Sequence, residues 1–296
     1  MRTINKVDVV PVSWKHHLEG GGWEWVCSHV IKKFHDPNSN IKMFMAYEYQ
    51  VRDKISEPHI AWFHQVLSGP ERCLENLVRS AFWNNNTKYL IHAVAVSGYQ
   101  EEFLRNHGIK NISSIIHPTP LKVGRWNLEN FLKSRNIYHI GFHCRDINFF
   151  VEIAEKVSGD YSFKYLIPKV DIDIVLPNNI IVVPRVGPEV YEKILNSSVV
   201  FMKLTDATAN NTVLECIARG TPVLVNPIGG IKEYLGNNYP LYYNSLDEAK
   251  KLIKNLNDSS LLDETHEYLL KIRENYSIDK FLDSLGKVLS NINYEF

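Results

Sequence analysis

The sequence predicts an α/β protein of two successive units, each a parallel sheet with helices on both faces. Apolar runs of strand length alternate with segments of helical apolar spacing throughout the chain. A break at residues 117–120 (HPTP) divides this alternation, because prolines remove backbone donors and restrain the residues before them. The 296 residues, 45% hydrophobic and 22% charged, suit two domains of ordinary size with an ample core.

The first unit is predicted from strand-like runs and segments with helical spacing of apolar residues. Strands are expected at 6–12, 43–49, 59–63, 89–97 and 112–116. Helices are expected at 27–34, 71–81 and 99–106. Residues 121–135 are expected to connect this unit to the second.

The second unit restarts the same alternation. Strands are expected at 138–142, 163–167, 180–183, 199–203 and 222–226. Helices are expected at 149–157, 188–196, from Asn211 onward, and at 247–256, 261–275 and 278–289. Repeated strand and helix units of this length favour parallel sheets covered on both faces.

Composition argues against several classes of protein. Lys+Arg and Asp+Glu both number 33, so the long-range positive field of a nucleic-acid binder is missing. The four cysteines form no C-x-x-C pair, which argues against a zinc site or disulfide framework and favours reduced thiols in the cytoplasm. No apolar run approaches the roughly 20 residues of a membrane span, and the N-terminus does not resemble a signal peptide.

Three tryptophans near the N-terminus allow two interpretations. Trp14, Trp23 and Trp25 could meet a lipid interface, which would place the protein peripherally at the cytoplasmic face of a membrane. Alternatively, these rings belong to the core or to the wall of a ligand site.

Residues 205–230 (TDATANNTVLECIARGTPVLVNPIGG) predict a site for a phosphate-bearing ligand. Asn210 or Asn211 can cap a helix whose first amides point outward, and those amides with the helix dipole suit an anion. Glu215 lies one turn further along, where its two oxygens match two neighbouring sugar hydroxyls. Alternatively, Glu215 is an acid whose only role is its interaction with the helix dipole, which stabilises it by about 0.3–1 kcal/mol.

Other polar residues follow predicted strands, where the ligand crevice of an open α/β sheet lies. Arg145 and Lys169 could supply positive charge for a diphosphate, and Lys164 and Arg185 lie near comparable strand ends. His64 ends the run 59–63 and could bind a substrate hydroxyl or act as a base, although a lone histidine is often structural.

The segment NNTVLECIARGTPVLVNPIGGIKEYL resembles the donor-nucleotide motif of GT-B glycosyltransferases of the family 4 type. AVAVSGYQEEFLRNHGI followed by IIHPTP is similar to the end of that family's first domain, and YHIGFHCRD to the opening strand and basic loop of its second. The resemblance implies GT-B architecture, with two Rossmann-like domains facing across a cleft. It also implies domain bounds of 1–121 and 122–276, and a helix at 277–296 that crosses back to the first domain.

The resemblance assigns roles to individual residues. It implies that Glu215 binds the ribose and that Arg145 and Lys169 bind the diphosphate. The sugar–phosphate region and the base then fall to Asn210, Asn211, Thr212, Arg185 and Val186. His64 would lie near the transferred sugar, and a glycine-rich loop would face the acceptor through Gly21, Gly22 and Trp23.

One position departs from the family pattern. A second glutamate commonly precedes the ribose glutamate by eight residues, and that position is Ala207 here. Asp206 could replace the missing acid, or Thr208 could contact the donor sugar instead. His64, Asp206 and Arg145 are therefore the candidate catalytic residues.

The resemblance implies a hexosyltransferase-like enzyme that moves a sugar from a nucleotide-diphosphate sugar to a glycan, lipid-linked or protein acceptor, with retention. No cofactor or metal is expected, because helix amides and basic side chains can neutralise the leaving diphosphate. Asp171 and Asp173 match D-x-D spacing, but their apolar neighbours indicate coincidence. Two alternatives stay open: a nucleotide-sugar epimerase or hydrolase, and a non-catalytic binding protein, for which Ala207 is the best argument.

Overall fold

The computed structural model describes residues 2–12, 22–69, 73–157, 161–167 and 176–294 of the chain. In that part, two five-stranded parallel sheets follow one another along the sequence and are covered by helices. The fold class predicted from the sequence is confirmed. A short antiparallel pair of strands joins residues near the two ends of the chain.

The first half holds strands β1 to β6 and helices α1 to α5. The strands are β1 (Arg2–Thr3), β2 (Asp8–Val10), β3 (Lys42–Phe44), β4 (His59–Trp62), β5 (Leu90–Ala95) and β6 (Ile112–Ser114). The helices are α1 (Gly22–Phe34), α2 (Tyr47–Gln50), α3 (Leu74–Val78), α4 (Trp83–Tyr89) and α5 (Gly98–Asn106). The sheet order is β2-β3-β4-β5-β6, so each strand pairs with its neighbour in sequence.

The second half holds strands β7 to β12 and helices α6 to α13. The strands are β7 (Asn136–Ile140), β8 (Ser162–Leu166), β9 (Ile180–Val183), β10 (Val199–Met202), β11 (Val223–Val225) and β12 (Asn293–Tyr294). The helices are α6 (Leu128–Ser134), α7 (Ile147–Lys156), α8 (Pro188–Ser197), α9 (Asn211–Arg219), α10 (Ile231–Leu235), α11 (Leu246–Lys254), α12 (Ser259–Ile272) and α13 (Ile278–Asn291).

The second sheet has the order β11-β10-β7-β8-β9, which reverses direction at β7. The chain first moves from β7 outward to β8 and β9, and then returns to place β10 on the other side of β7. A crevice therefore opens beyond the carboxyl ends of β7 and β10, the position where open α/β sheets bind ligands.

Side-chain caps fix the helices that begin at this crevice. Asp146 accepts a hydrogen bond from the amide of Phe149 at the start of α7, and Asn210 accepts one from Val213 at the start of α9. Helix α8 follows Gly187 and has proline at its first position, where the missing donor costs nothing. Short polar loops thus lead directly from strand ends into helix starts.

Some predicted elements differ from the structure. The run 43–49 was predicted as one strand, but the chain leaves β3 at Phe44 and forms α2. The Gln50 side chain accepts a hydrogen bond from the amide of Ala46, which stabilises this turn, and a run that is apolar except for Glu48 does not separate strand from helix by periodicity. Of the predicted helix 71–81, only the shorter α3 is helical among the described residues. Helices α4 and α6 were not predicted.

Helix α13 packs against the first half of the chain. Its buried residues Phe281, Leu282, Leu285 and Leu289 belong to the same core as β2, β3 and α1. The first sheet ends at Ser114 and the second begins at Asn136. The domain bounds at 121/122 and 276/277 stay predictions within that frame. None of the described helices is long and apolar enough to cross a membrane.

Candidate functional site

A cavity of about 450 Å³ lies between the two sheets, at the carboxyl ends of their strands. The first half contributes Trp23 and the residues after β4. The second half contributes the residues after β7, β8, β9 and β10 and the start of α9. The predicted site residues on its wall are Trp23, His64, Arg145, Arg185, Val186, Asp206, Asn210, Asn211, Thr212 and Glu215.

Arg145 lies at the switch point of the second sheet. A backbone bridge joins it to Leu204, so the loops after β7 and β10 are locked together there. Its Nη1 donates to the carbonyl oxygen of His143 at 2.7 Å, and its Nη2 donates to Oγ1 of Thr212 at 3.2 Å. The guanidinium lies against Gly141, where an added Cβ would be 3.3 Å from Cζ.

The guanidinium of Arg145 has no acidic side chain in direct contact in the described part of the chain, although the more distant charge of Glu215 favours its charged form. No ion pair with an acidic side chain forms there, and its buried Nε has no hydrogen-bond partner. Burial lowers the pKa of the guanidinium, which still stays charged at neutral pH. A partly buried cation without a direct ion pair, beside the amides of a helix start, is suited to an anionic ligand.

Glu215 lies one turn into α9 and is partly exposed to the cavity. Its Oε2 accepts a hydrogen bond of 2.5 Å from the hydroxyl of Tyr191 on α8. Burial raises the pKa of Glu215, while the hydrogen bond from Tyr191 and the charges of Arg219 and Arg145 oppose that rise. A carboxylate with one fixed oxygen, beside a cation site, can accept hydroxyl donors from a ligand.

Side chains of the loop after β10 form hydrogen bonds with the first half of the chain. Oδ2 of Asp206 accepts from the amides of Leu67 and Ser68 at 2.8 and 3.1 Å, and Oδ1 accepts from the Tyr99 hydroxyl at 3.2 Å. Asp206 thus lines the cavity with both oxygens already bound to the first half. The hydroxyl of Thr208 donates to the carbonyl oxygen of His64 at 3.3 Å.

Ala207 is buried in the core of the second half rather than on the cavity wall. Its carbonyl oxygen accepts a hydrogen bond from the amide of Gly230 at 2.8 Å. A Cβ on Gly229 would overlap the same carbonyl oxygen, and a Cβ on Gly230 would overlap that of Thr208. The glycine pair therefore allows the loop after β10 to approach closely.

His64 follows the end of β4 and lines the same cavity as Arg145. Its ring is stacked on Trp23, with 5.0 Å between ring centroids and 3° between planes. Oε1 of the buried Glu48 lies 2.7 Å from Nδ1 and also accepts from the amides of His64 and Gln65. This arrangement fixes the ring at the cavity wall.

Sequence reasoning missed both Glu48 and Tyr191. Glu48 is a single acid in the apolar run MFMAYEY, and a buried charge needs partners, so its place in that run was an available signal. Tyr191 lies in the predicted helix 188–196. Its contact with Glu215 joins two helices and leaves no pattern in the local sequence.

The remaining predicted residues are placed as follows. Gly22 begins α1 and borders a second cavity of about 210 Å³, which Tyr191 and Glu215 also line. Gly21, Lys169, Asp171 and Asp173 lie outside the described residues. Within the described residues, no group of three or more His, Cys, Asp or Glu side chains could hold a metal ion. Metal-independent chemistry stays a prediction.

Two parallel α/β sheets whose strand ends face each other across one cleft define the GT-B architecture, and this chain has that fold. Neither a protein-family model nor a curated protein matches its sequence. Solved structures of low sequence identity match its fold, and glycosyltransferases are among them.

Three of these structures illustrate the similarity. TarM of S. aureus has 15% identity and a TM-score of 0.63 over 85% of this chain and 55% of its own. HepE of Anabaena, in complex with UDP-glucose, has 11% identity and a TM-score of 0.65 over 85% and 78%. Sucrose-phosphate synthase of Thermosynechococcus elongatus has 11% identity and a TM-score of 0.61 over 90% and 76%. The chain thus spans about half the length of TarM.

Proposed function

We propose that this chain is a glycosyltransferase that uses a nucleotide-diphosphate sugar as donor. The observation that carries the proposal is the pairing of Arg145 with Glu215 on the cavity wall. Arg145, a cation without a direct ion pair, suits a diphosphate. Glu215, one turn from the start of α9, suits the hydroxyls of a ribose. HepE, which shares the fold, binds UDP-glucose.

The cavity wall offers a place for each part of such a donor. The diphosphate would lie against Arg145 and the first amides of α9, at Asn210, Asn211 and Thr212. The base would lie beyond Glu215, among Arg185, Val186 and the apolar residues Leu166 and Ile167. Lys169 remains a further proposed ligand of the diphosphate.

The transferred sugar would extend toward the first half of the chain, where His64 and Trp23 form the wall. The acceptor would enter from the same side, near Gly21, Gly22 and Trp23. Thr208 and Asp206 are already bonded to that half, so we assign them to holding the loop beside the sugar and His64 to contact with it. A hexose is the proposed sugar, and a glycan, lipid-linked or protein hydroxyl the proposed acceptor.

The reaction breaks the bond between the sugar C1 and the β-phosphate oxygen and forms a bond between C1 and the acceptor oxygen. The acceptor hydroxyl releases its proton to the solvent, and the nucleoside diphosphate leaves with one additional negative charge. Arg145 and the amides of α9 would stabilise that charge, which lets the reaction proceed without a metal. Retention of configuration, a cytoplasmic location and peripheral membrane contact belong to the same proposal.

One observation favours a second candidate, a nucleotide-sugar-binding protein without catalysis. The position that carries a second acid in the resembled family is the buried Ala207 here. Both carboxylate oxygens of the neighbouring Asp206 already accept hydrogen bonds from the first half of the chain. An epimerase or hydrolase would need acid/base carboxylates of its own in the cleft.

Thermal stabilisation followed by product analysis distinguishes these functions. We expect at least one of UDP, ADP, GDP or their hexose conjugates to raise the melting temperature, and Arg145→Ala and Glu215→Ala to abolish that shift. Lys133→Ala, on the exposed side of α6, should leave the shift unchanged. Turnover only with added acceptor supports a transferase, turnover without it supports a hydrolase or epimerase, and binding alone supports the non-catalytic protein. No shift with any nucleotide would contradict the proposal.

A further inference from the structure

Tyr191 belongs to the described site but is not explained by the proposed chemistry. Its ring is buried between α8 and α9 at 4% exposure, and the residue lines both cavities. Its hydroxyl donates to Oε2 of Glu215 at 2.5 Å. A charged acceptor makes this a strong hydrogen bond.

We propose that Tyr191 is a positioning residue, which holds one oxygen of Glu215 and presents the other to a ribose hydroxyl, so that the site selects ribonucleotides over 2′-deoxyribonucleotides. This inference rests on the proposed nucleotide function of the site. A carboxylate whose orientation is fixed before binding loses less conformational freedom when the ligand arrives.

The backbone of Glu215 is held from the opposite direction. Nη1 of Arg219 donates to its carbonyl oxygen at 3.1 Å, and the same guanidinium donates to Oε2 of Glu192 from Nε and Nη2. Oε1 of Glu192 in turn accepts from the amide of Gly124 in the connection between the two sheets. These contacts hold the backbone of α9 at Glu215. The hydrogen bond from the Tyr191 hydroxyl restrains the Glu215 side chain.

Tyr191 also keeps Glu215 in the form that accepts hydroxyl donors. Burial raises the pKa of Tyr191 well above its ordinary value, and the neighbouring carboxylate adds to this rise, so the phenol stays protonated and can only donate here. Its hydrogen bond opposes the protonation of Glu215 that burial favours. A protonated Glu215 would lose acceptor capacity for the ribose.

The test compares ribonucleotides with their 2′-deoxy counterparts by isothermal titration calorimetry. For whichever of UDP, ADP and GDP binds, we expect a preference of roughly tenfold over the 2′-deoxy form, the value of one hydrogen bond to a charged group. Tyr191→Phe should lower that preference to about twofold by weakening ribonucleotide binding, with little effect on the deoxy form. A general structural role would weaken both forms equally.

Tyr243→Phe is the matched control. Tyr243 is another fully buried tyrosine of the second half, and its hydroxyl donates to the carbonyl oxygen of Met202 away from the cavity. Its variant should keep the tenfold preference even where it lowers stability. Should Tyr191→Phe fail to fold, Glu215→Gln provides the second variant, because an amide has one acceptor oxygen and should lose the same preference.

The binding measurements distinguish failure of the proposed function from failure of the role assigned to Tyr191. If no nucleoside diphosphate binds the unaltered protein, the proposed function fails and Tyr191 fails with it. If ribonucleotides bind but the deoxy forms bind equally well, only the ribose assignment is overturned. If the preference survives in Tyr191→Phe, Glu215 needs no positioning by Tyr191 and this inference is wrong.

Discussion

At the scale of single residues, two partly buried charges are the basis of the proposed nucleotide site. Arg145 and Glu215 have opposite charges, but no ion pair joins them in the described part of the chain, and each is held by neutral partners instead. Thr212 and His143 hold the cation, and Tyr191 holds the carboxylate. Each charge therefore keeps hydrogen-bonding capacity for a ligand, which a direct pair would consume.

Nucleotide binding should depend on pH through Glu215. Burial raises the pKa of this carboxyl above the ordinary glutamate value, and only the ionised form accepts from two hydroxyls. Affinity should therefore be highest at neutral pH and fall as the pH is lowered through the raised pKa. Titration calorimetry at intervals between about pH 8 and about pH 5 measures this dependence.

The control for this prediction is Glu215→Gln, which cannot titrate. Its weaker binding should stay constant over the range where the unaltered protein loses affinity. Equal pH dependence in both proteins would show that another group, such as the phosphate of the ligand, is responsible.

At the scale of elements, the site depends on a close approach between the loop after β10 and the glycine pair that precedes α10. Gly230→Ala should displace the loop, because the new Cβ would overlap the carbonyl oxygen of Thr208. We expect a loss of about 2 kcal/mol or more in the free energy of unfolding, together with weaker nucleotide binding. Urea denaturation measures the first effect.

Gly187→Ala is the matched control, since Gly187 has nothing within 4 Å of a built Cβ and a negative φ of −72°. Its cost should stay near 1 kcal/mol or below, the usual range for a replaced helix cap. If Gly230→Ala costs no more than this control, the close approach is not needed for the fold.

The elements also show what the sequence could predict. The second sheet, the cap of α9, and the positions of Arg145 and Glu215 follow from local patterns, because strand ends and helix starts have recognisable residues. Helix α2 was missed because the apolar residues of the run 43–49 fit both the period of a strand and that of a helix. Glu48 and Tyr191 were missed because their partners, His64 and Glu215, lie 16 and 24 residues away.

At the scale of the whole molecule, side chains of the second half bind backbone groups of the first. The carboxylate of Glu233 on α10 accepts from the amides of Gly98 and Tyr99 at the start of α5, at 2.6 and 2.9 Å. The Tyr234 hydroxyl donates to the carbonyl oxygen of Val96 at 2.6 Å. Together with Asp206, these contacts hold the two sheets around the cleft.

Removing one contact should loosen the two halves without unfolding either. Glu233→Ala deletes the acceptor for two exposed amides at a helix start, so we expect a cost of about 0.5–2 kcal/mol and a larger radius of gyration in small-angle X-ray scattering. Glu264→Ala, on the exposed side of α12, is the control and should change neither quantity. An unchanged radius in Glu233→Ala would indicate that the remaining contacts are sufficient.

The central claim is that Arg145 and Glu215 form one nucleotide-diphosphate site at the switch point of the second sheet. A crystal structure of the chain with whichever nucleoside diphosphate stabilises it tests this most directly. We expect a phosphate oxygen within hydrogen-bonding distance of Arg145 and a ribose hydroxyl within the same distance of Glu215. A nucleotide bound elsewhere, or bound here with its ribose turned away from Glu215, would contradict it.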